Sequence, residues 1–167
     1  LHQLVQKTDR YQLDESDISL ISTASALHDI GKIMIPEEIL NKPGRLTEEE
    51  YATIKTHTTE GARILKGLAI GQDEPLVKVA HAICRWHHER WDGGGYPDRL
   101  KGDEIPIAAQ VVALADVYDA LTSERCYKQS YSHEKAVDMI LHGECGSFNP
   151  LLMECLKESS ELLRTEL

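Results

Sequence analysis

The segment from Ile107 to Leu121 constrains the fold most. Its core, Val111-Val112-Ala113-Leu114-Ala115-Asp116-Val117-Tyr118-Asp119-Ala120-Leu121, is apolar nearly all round at a helical period. Such a helix has to be enclosed by other elements, so it is expected at the centre of the molecule. Strands to enclose it are scarce, because few apolar–polar alternations are bounded by hairpin turns. Helical signals recur instead. Ser16 is placed to cap a helix through Ile18, Ile21, Ala24 and Leu27 toward His28. Pro36 suits a first helical turn and is followed by Glu37 and Glu38. Asn41-Lys42-Pro43-Gly44 reads as a turn. Thr47 with Glu50 forms a capping-box pattern that opens a helix through Tyr51, Ile54, His57 and Ile64. Further helices are predicted from about Glu74 to His88, after Ser132, and from Asn149-Pro150 to near Arg164. Between Trp91 and Pro106, four glycines and two prolines make a long loop. The expected fold is all-α, a single helical bundle with one long functional loop.

The 167 residues amount to about one domain. A formal net charge of −10 argues against a general DNA, RNA or membrane-surface binder, because the long-range field repels phosphates. An anionic substrate would need local positive charge from metals or a few placed cations. Cys84, Cys126, Cys145 and Cys155 form no C-x-x-C pair and read as unpaired thiols of a reducing cytoplasm. No apolar run approaches the ~18 residues of a spanning helix, and no signal-peptide pattern opens the chain. The expected location is therefore cytoplasmic. The first residue is Leu1 rather than Met, so the sequence reads as a piece of something longer or as a processed product.

Polar residues interrupt the apolar pattern in a few places that matter chemically. His28-Asp29 closes an apolar helix, where both residues cost free energy to desolvate unless paired. Imidazole nitrogen and carboxylate oxygen suit zinc, manganese or iron, and the two oxygens of Asp29 allow it to bridge two ions. Taken alone the dipeptide fits a surface or hydrogen-bonded core histidine better than a metal ligand, and His57 alone fits a hydrogen-bonded core histidine better. His87-His88 closes a helix just before the Gly-rich loop, either turned into a pocket or exposed at a helix end. Asp116 lies within the most apolar helix and is expected to be buried. An unpaired carboxylate there would be forced toward neutrality, and a metal removes that problem. Asp119, one turn on, suits a supporting or capping role. Helical bundles build two-metal sites from such residues on facing helices, and two metals can activate water and hold a phosphoester.

Together, His28-Asp29, His57, His87-His88-Glu89, Asp92-Gly93-Gly94-Gly95-Tyr96-Pro97 and Asp116 resemble the HD-GYP domain, a branch of the HD phosphohydrolase superfamily. The likeness runs on through Ala115 to Ser123 and the Gly146-x-Phe148-Asn149-Pro150 segment, nearly the whole chain. It implies an HD-domain-like helical bundle spanning residues 1–167. It also implies a bacterial phosphodiesterase that cleaves cyclic di-GMP to pGpG or GMP with two or three divalent metals, iron or manganese. The implied ligands are His28, Asp29, His57, His87, His88 and Asp116, with Asp29 bridging. Lys32 matches a lysine near the scissile phosphate, suited to stabilise charge there. Tyr96, Arg125 and Lys128 match positions that contact the dinucleotide, and the latter two supply a local basic pair for phosphate. Glu89 and Asp92 read as loop-shaping residues, and Gly93, Gly94 and Gly95 as permitting a tight loop. His81, His133 and His142 fit no motif position and read as structural or solvated.

One departure stands out. The family pattern has a further metal-binding His, in some members with a Glu one turn before it, upstream of His28. That register falls before Leu1, and His2 is about six residues away from it, roughly 9 Å along a helix. The chain is thus expected to begin inside the first helix of the domain. The site of Asp29, His57, His87 and His88 is expected to be complete, and that of His28, Asp29 and Asp116 to be a ligand short. The resemblance also implies a receiver or sensory domain upstream, with a homodimer as a further arrangement. Two alternatives stand beside the enzyme: a cyclic di-GMP sensor without turnover, and a hydrolase of another phosphoester.

Overall fold

A computed structural model describes residues 1–68, 71, 73–124 and 130–165. In chain order the elements are α1 (His2–Lys7), α2 (Glu15–Ser25), a 3₁₀ turn (Ile30–Met34), α3 (Glu37–Leu40), α4 (Glu48–Lys55), α5 (His57–Gly67) and α6 (Pro75–Trp86). A second 3₁₀ turn (Gly102–Glu104), α7 (Ile107–Thr122), α8 (His133–Leu141) and α9 (Pro150–Thr165) complete them. No strand occurs among the described residues. The all-α expectation is met.

Helix α7 is central, as its apolar surface requires. Its first half joins Ile21 and Ala24 of α2, Leu65 of α5 and Ile83 and Cys84 of α6 in one core through Ala108 and Val112. Its far end packs Leu121 against Ala136, Val137 and Ile140 of α8 and Leu156 of α9. A third face, through Ile107, Val111 and Leu114, meets Leu4 of α1 and Leu152 and Cys155 of α9. Burial on several sides of one helix is the arrangement that makes an all-round apolar sequence stable.

Three boundaries differ from the expectation. Helix α2 is capped by Asp14 rather than Ser16, because Asp14 and Asp17 form a reciprocal capping box with each other's backbone N–H. The Thr47–Glu50 box forms as expected, but the helix it opens divides at Thr56. Thr53, Thr56, Thr58 and Thr59 all turn their hydroxyls onto carbonyls three or four residues back. Such bonds compete with the helical ladder and bend it. The break places His57 at the start of α5 rather than mid-helix. Helix α6 ends at Trp86, with His87 as its cap, so the His87-His88 pair follows the helix and does not continue it.

A buried polar knot ties the ends of the chain to the centre. Asn149 donates to the Tyr11 hydroxyl at 2.7 Å and to Gln110 Oε1 at 2.8 Å, and accepts from the Leu151 N–H. Gln110 in turn donates to the Ile105 carbonyl. Because these buried polar groups are matched, the knot fixes the segment after α1 to α7 and to the start of α9.

Candidate metal centre

Four elements deliver the site. The 3₁₀ turn after α2 lies directly on α5, with Gly31 at the contact. A Cβ on Gly31 would sit 1.9 Å from the His57 carbonyl oxygen and 2.5 Å from the Gly61 nitrogen. Only glycine allows this approach, and it brings Asp29 beside His57. On the other side, Asp116 projects from α7 toward His28.

The six expected ligands come together. His28 Nε2 lies 3.2 Å from Asp29 Oδ2 and 3.8 Å from Asp116 Oδ1. Asp29 Oδ1 lies 3.4 Å from His57 Nε2 and 4.0 Å from His87 Nε2. Ligand atoms of His57, His87 and His88 fall within 4.8 Å of one another. Asp116 is half-buried rather than fully buried, because this face of α7 opens onto a cavity. That cavity, of about 470 Å³, is lined by Lys32, His57, His87, His88, Tyr96 and Asp116 together with the 145–148 segment.

Backbone carbonyls set the ring orientations. His28 Nδ1 bonds the Ser25 carbonyl at 2.8 Å, His57 Nδ1 that of Ile54 at 2.7 Å, and His87 Nδ1 that of Ile83 at 3.0 Å. A ring that donates from Nδ1 presents a bare lone pair at Nε2. His57 Nε2 and His87 Nε2 face each other at 3.3 Å. Asp29 Oδ1, buried and with no hydrogen-bond donor, faces both. Lone pairs converging in this way repel unless a cation lies between them. Two nitrogens each ~2.1 Å from a metal lie roughly 3–3.4 Å apart, which is the spacing found here. The donor set therefore fits a divalent ion bound through nitrogen and oxygen.

Protonation states agree with that fit. Burial, with the neighbouring histidines, pushes His87 down to about 4 and His88 to about 3, so both rings are neutral near pH 7. Burial also lowers His57. Burial alone would raise Asp29, but hydrogen bonds from His28 and Lys32 outweigh it and hold the carboxyl well below the usual range. His28 is raised, chiefly by its bond to Asp29. A cation at the same place competes with that proton.

The Gly-rich loop closes one side of the cavity. Glu89, 5% exposed, accepts the N–H groups of Asp98, Arg99 and Leu100 at 2.7, 3.0 and 3.0 Å. It is the clamp of the loop, as expected of a loop-shaping residue. Asp92 pairs with Arg90 and accepts the Gly94 N–H. Gly93 is needed for its φ of +82°, and Gly95 for space, since a Cβ there would meet Arg90 N at 2.4 Å. Tyr96, preceding a cis proline, stacks on His88 with ring centroids 4.9 Å apart. Glu89→Ala leaves three N–H groups without their acceptor. It is expected to cost about 2–3 kcal/mol in urea unfolding, whereas the exposed Asp92→Ala should cost under about 1 kcal/mol.

The remaining polar residues sort as their sequence context suggested. Asp119 caps locally, accepting from the Ser123 hydroxyl. His133 bonds the Tyr118 hydroxyl at 2.7 Å, His81 lies edge-on to Trp86, and His142 pairs with Asp138 at the surface. His2 lies beside Glu15, 64% exposed. Arg125 and Lys128, expected at the substrate phosphate, lie outside the described residues, as does Cys126. Three participants had no assigned role in the sequence. They are Gly31, Cys84, whose thiol donates to the Leu27 carbonyl behind the site, and Lys55, whose ammonium lies over the Tyr96 ring. For Lys55 the signal was available: it sits one turn from Tyr51 and two residues before His57.

Comparison with known proteins agrees with this geometry. The family described as "HD domain" matches residues 4–148. A cyclic di-GMP phosphodiesterase of Thermotoga maritima is 42% identical over 92% of this chain and 42% of its own length. The cyclic di-GMP phosphodiesterase response regulator RpfG of Xanthomonas campestris is 40% identical over 86% of this chain and 37% of its own. A 3′3′-cGAMP-specific phosphodiesterase 2 of Vibrio cholerae is 43% identical over 89% of this chain and 28% of its own. The chain belongs to the HD-domain family, in its HD-GYP branch. It spans well under half the length of these relatives. No helix among the described residues is long and apolar enough to cross a membrane.

Proposed function

We propose that the chain is the catalytic part of a metal-dependent phosphodiesterase that hydrolyses cyclic di-GMP to pGpG or GMP, with iron or manganese in its centre. The observation that carries this reading is the convergence of bare lone pairs from Asp29, His57 and His87 beside the Lys32 ammonium. His57, His87, His88 and Asp29 would hold one ion, and His28, Asp29 and Asp116 another. Bound divalent metals supply charge neutralisation at the phosphate and activation of the attacking water.

The chain's own residues do the rest. Asp29 holds Lys32 through an ion pair, which keeps the ammonium at the wall of the cavity. There it stabilises negative charge on the leaving oxygen as the P–O3′ bond breaks. The water oxygen joins phosphorus, and the 3′ oxygen takes a proton. Tyr96 lines the cavity beside the metal histidines, where it would contact the dinucleotide, and Arg125 and Lys128 would pair with the second phosphate. Neutral His87 and His88 need lose no proton to act as ligands. The long-range repulsion of a −10 chain is met locally by these cations.

A second reading keeps the chemistry and changes the base. One relative named for 3′3′-cGAMP is as similar to this chain as those named for cyclic di-GMP. The full-length protein, loaded with manganese, should be offered cyclic di-GMP, 3′3′-cGAMP and a plain phosphomonoester. Preferential loss of cyclic di-GMP supports the first reading, preferential loss of 3′3′-cGAMP the second, and cleavage of the monoester alone contradicts both. Lys32→Met should lower kcat on the preferred substrate about 10²-fold with bound metal retained. Loss of metal instead would make Lys32 a structural partner of Asp29. A receiver or sensory domain in the rest of the protein, a cytoplasmic location and a homodimer complete the reading; RpfG's name as a response regulator supports the first of these.

A further inference from the structure

A second cavity, of about 580 Å³, adjoins the metal cavity. Tyr51, Gly94, Gly95 and Tyr96 line both. Lys55 and Arg99 line only the second, and none of its lining residues is acidic. That is unusual in a chain with 28 Asp and Glu against 18 Lys and Arg. Many of the other cations take carboxylate partners, as Lys42 does with Glu50 and Arg85 with Asp98. Among the described residues neither Lys55 nor Arg99 has such a partner. Lys55 is half-buried, with its ammonium 5.0 Å from the Tyr51 ring centroid and 5.8 Å from that of Tyr96. Cation–π contact holds the charge in place without neutralising it. Its position at the end of α4 complements the helix dipole. The dipole does not account for Arg99, or for the lack of acidic residues in the walls.

We infer that this cavity is an anion subsite for the terminal phosphomonoester of a linear dinucleotide. The inference rests on the phosphodiesterase reading above and adds to it. Opening one diester of a cyclic dinucleotide creates a 5′-phosphomonoester of about −1.5 to −2 charge that the cyclic substrate lacks. For the remaining diester to reach the metal ligands, that new group must lie further along the same cleft. Tyr96 stacks on His88 and also lies under Lys55, so one aromatic ring separates the metal histidines from the cation. Lys55 and Arg99 thereby favour retention of the linear product for a second cleavage.

The test compares pGpG with GpG, which differ only in the terminal phosphate, by calorimetric titration of the manganese-loaded protein. Wild type should bind pGpG about tenfold more tightly, the size of one charge-assisted hydrogen bond. Lys55→Gln should bring that ratio close to one, and Lys55→Arg should largely restore it, with thermal unfolding confirming that both variants fold. No preference in wild type, or a preference that survives Lys55→Gln with Arg99→Gln, overturns the subsite. Inorganic phosphate should weaken pGpG binding more than GpG binding; equal weakening of both also overturns it. Both dinucleotides carry a non-hydrolysable internal linkage, so the binding readout is independent of turnover. If cyclic di-GMP stays intact while the ratio behaves as expected, the hydrolase reading fails and the subsite stands.

Discussion

Asp29→Ala is expected to lower diester hydrolysis by more than about 10³-fold and to remove the response of stability to metal. Loss of a single preorganised catalytic donor costs ~10²–10³, and Asp29 meets more than one group at once. Its Oδ1 faces His57 and His87, and its Oδ2 faces His28 and Lys32. Without it, both proposed ion positions lose a ligand and Lys32 loses its anchor. The stability readout is independent of substrate. An ion at about 100 times its Kd stabilises the native state by ~2.7 kcal/mol. For a domain of this size that raises Tm by roughly 5–10 °C. Wild type should show that rise with manganese, and Asp29→Ala should not. An equal rise in both would place the metal elsewhere.

Gly31→Ala should be the most damaging substitution of a single methyl group, at about 3 kcal/mol or more of stability. The added Cβ would meet a carbonyl oxygen at 1.9 Å and a backbone nitrogen at 2.5 Å, both belonging to α5. Neither is the movable end of a side chain. The turn has to lift from α5, which also separates Asp29 from His57, so metal affinity should fall with stability. Gly67→Ala is the control, because a Cβ there meets nothing within 4 Å. That change should be neutral or slightly stabilising, by up to ~1 kcal/mol, since alanine suits a helix better than glycine. Urea unfolding of both variants gives the comparison. A Gly31→Ala protein as stable as Gly67→Ala would contradict the packing described here.

What the sequence revealed follows from what kind of signal each feature has. The central helix was legible because its apolar surface is continuous, and no fold can leave such a surface in water. The Thr47–Glu50 and Ser132 caps were legible because capping is local. The cap at Asp14 was misplaced onto Ser16 because both residue types satisfy the same backbone groups, and only the partner at Asp17 decides. The division at Thr56 was missed because the apolar period runs through it unbroken. The cause lies in hydroxyl bonds to carbonyls, which periodicity does not register. At the site, single residues such as His57 were ambiguous by themselves, and the set His28, Asp29, His57, His87, His88 and Asp116 was named through the resemblance of the whole pattern to the HD-GYP domain. Gly31 was not, because its constraint is a tertiary approach to His57 and Gly61. The groove of Lys55 and Arg99 is likewise tertiary, joining the end of α4 to a loop more than forty residues away.

The most direct measurement loads the full-length protein anaerobically with iron or manganese and follows both bound metal and cyclic di-GMP. Consumption of cyclic di-GMP with appearance of pGpG or GMP, rising with bound metal and stopped by a chelator, is the expected result. Cyclic di-GMP left intact by metal-loaded protein, while a control phosphodiesterase cleaves it under the same conditions, would contradict the account.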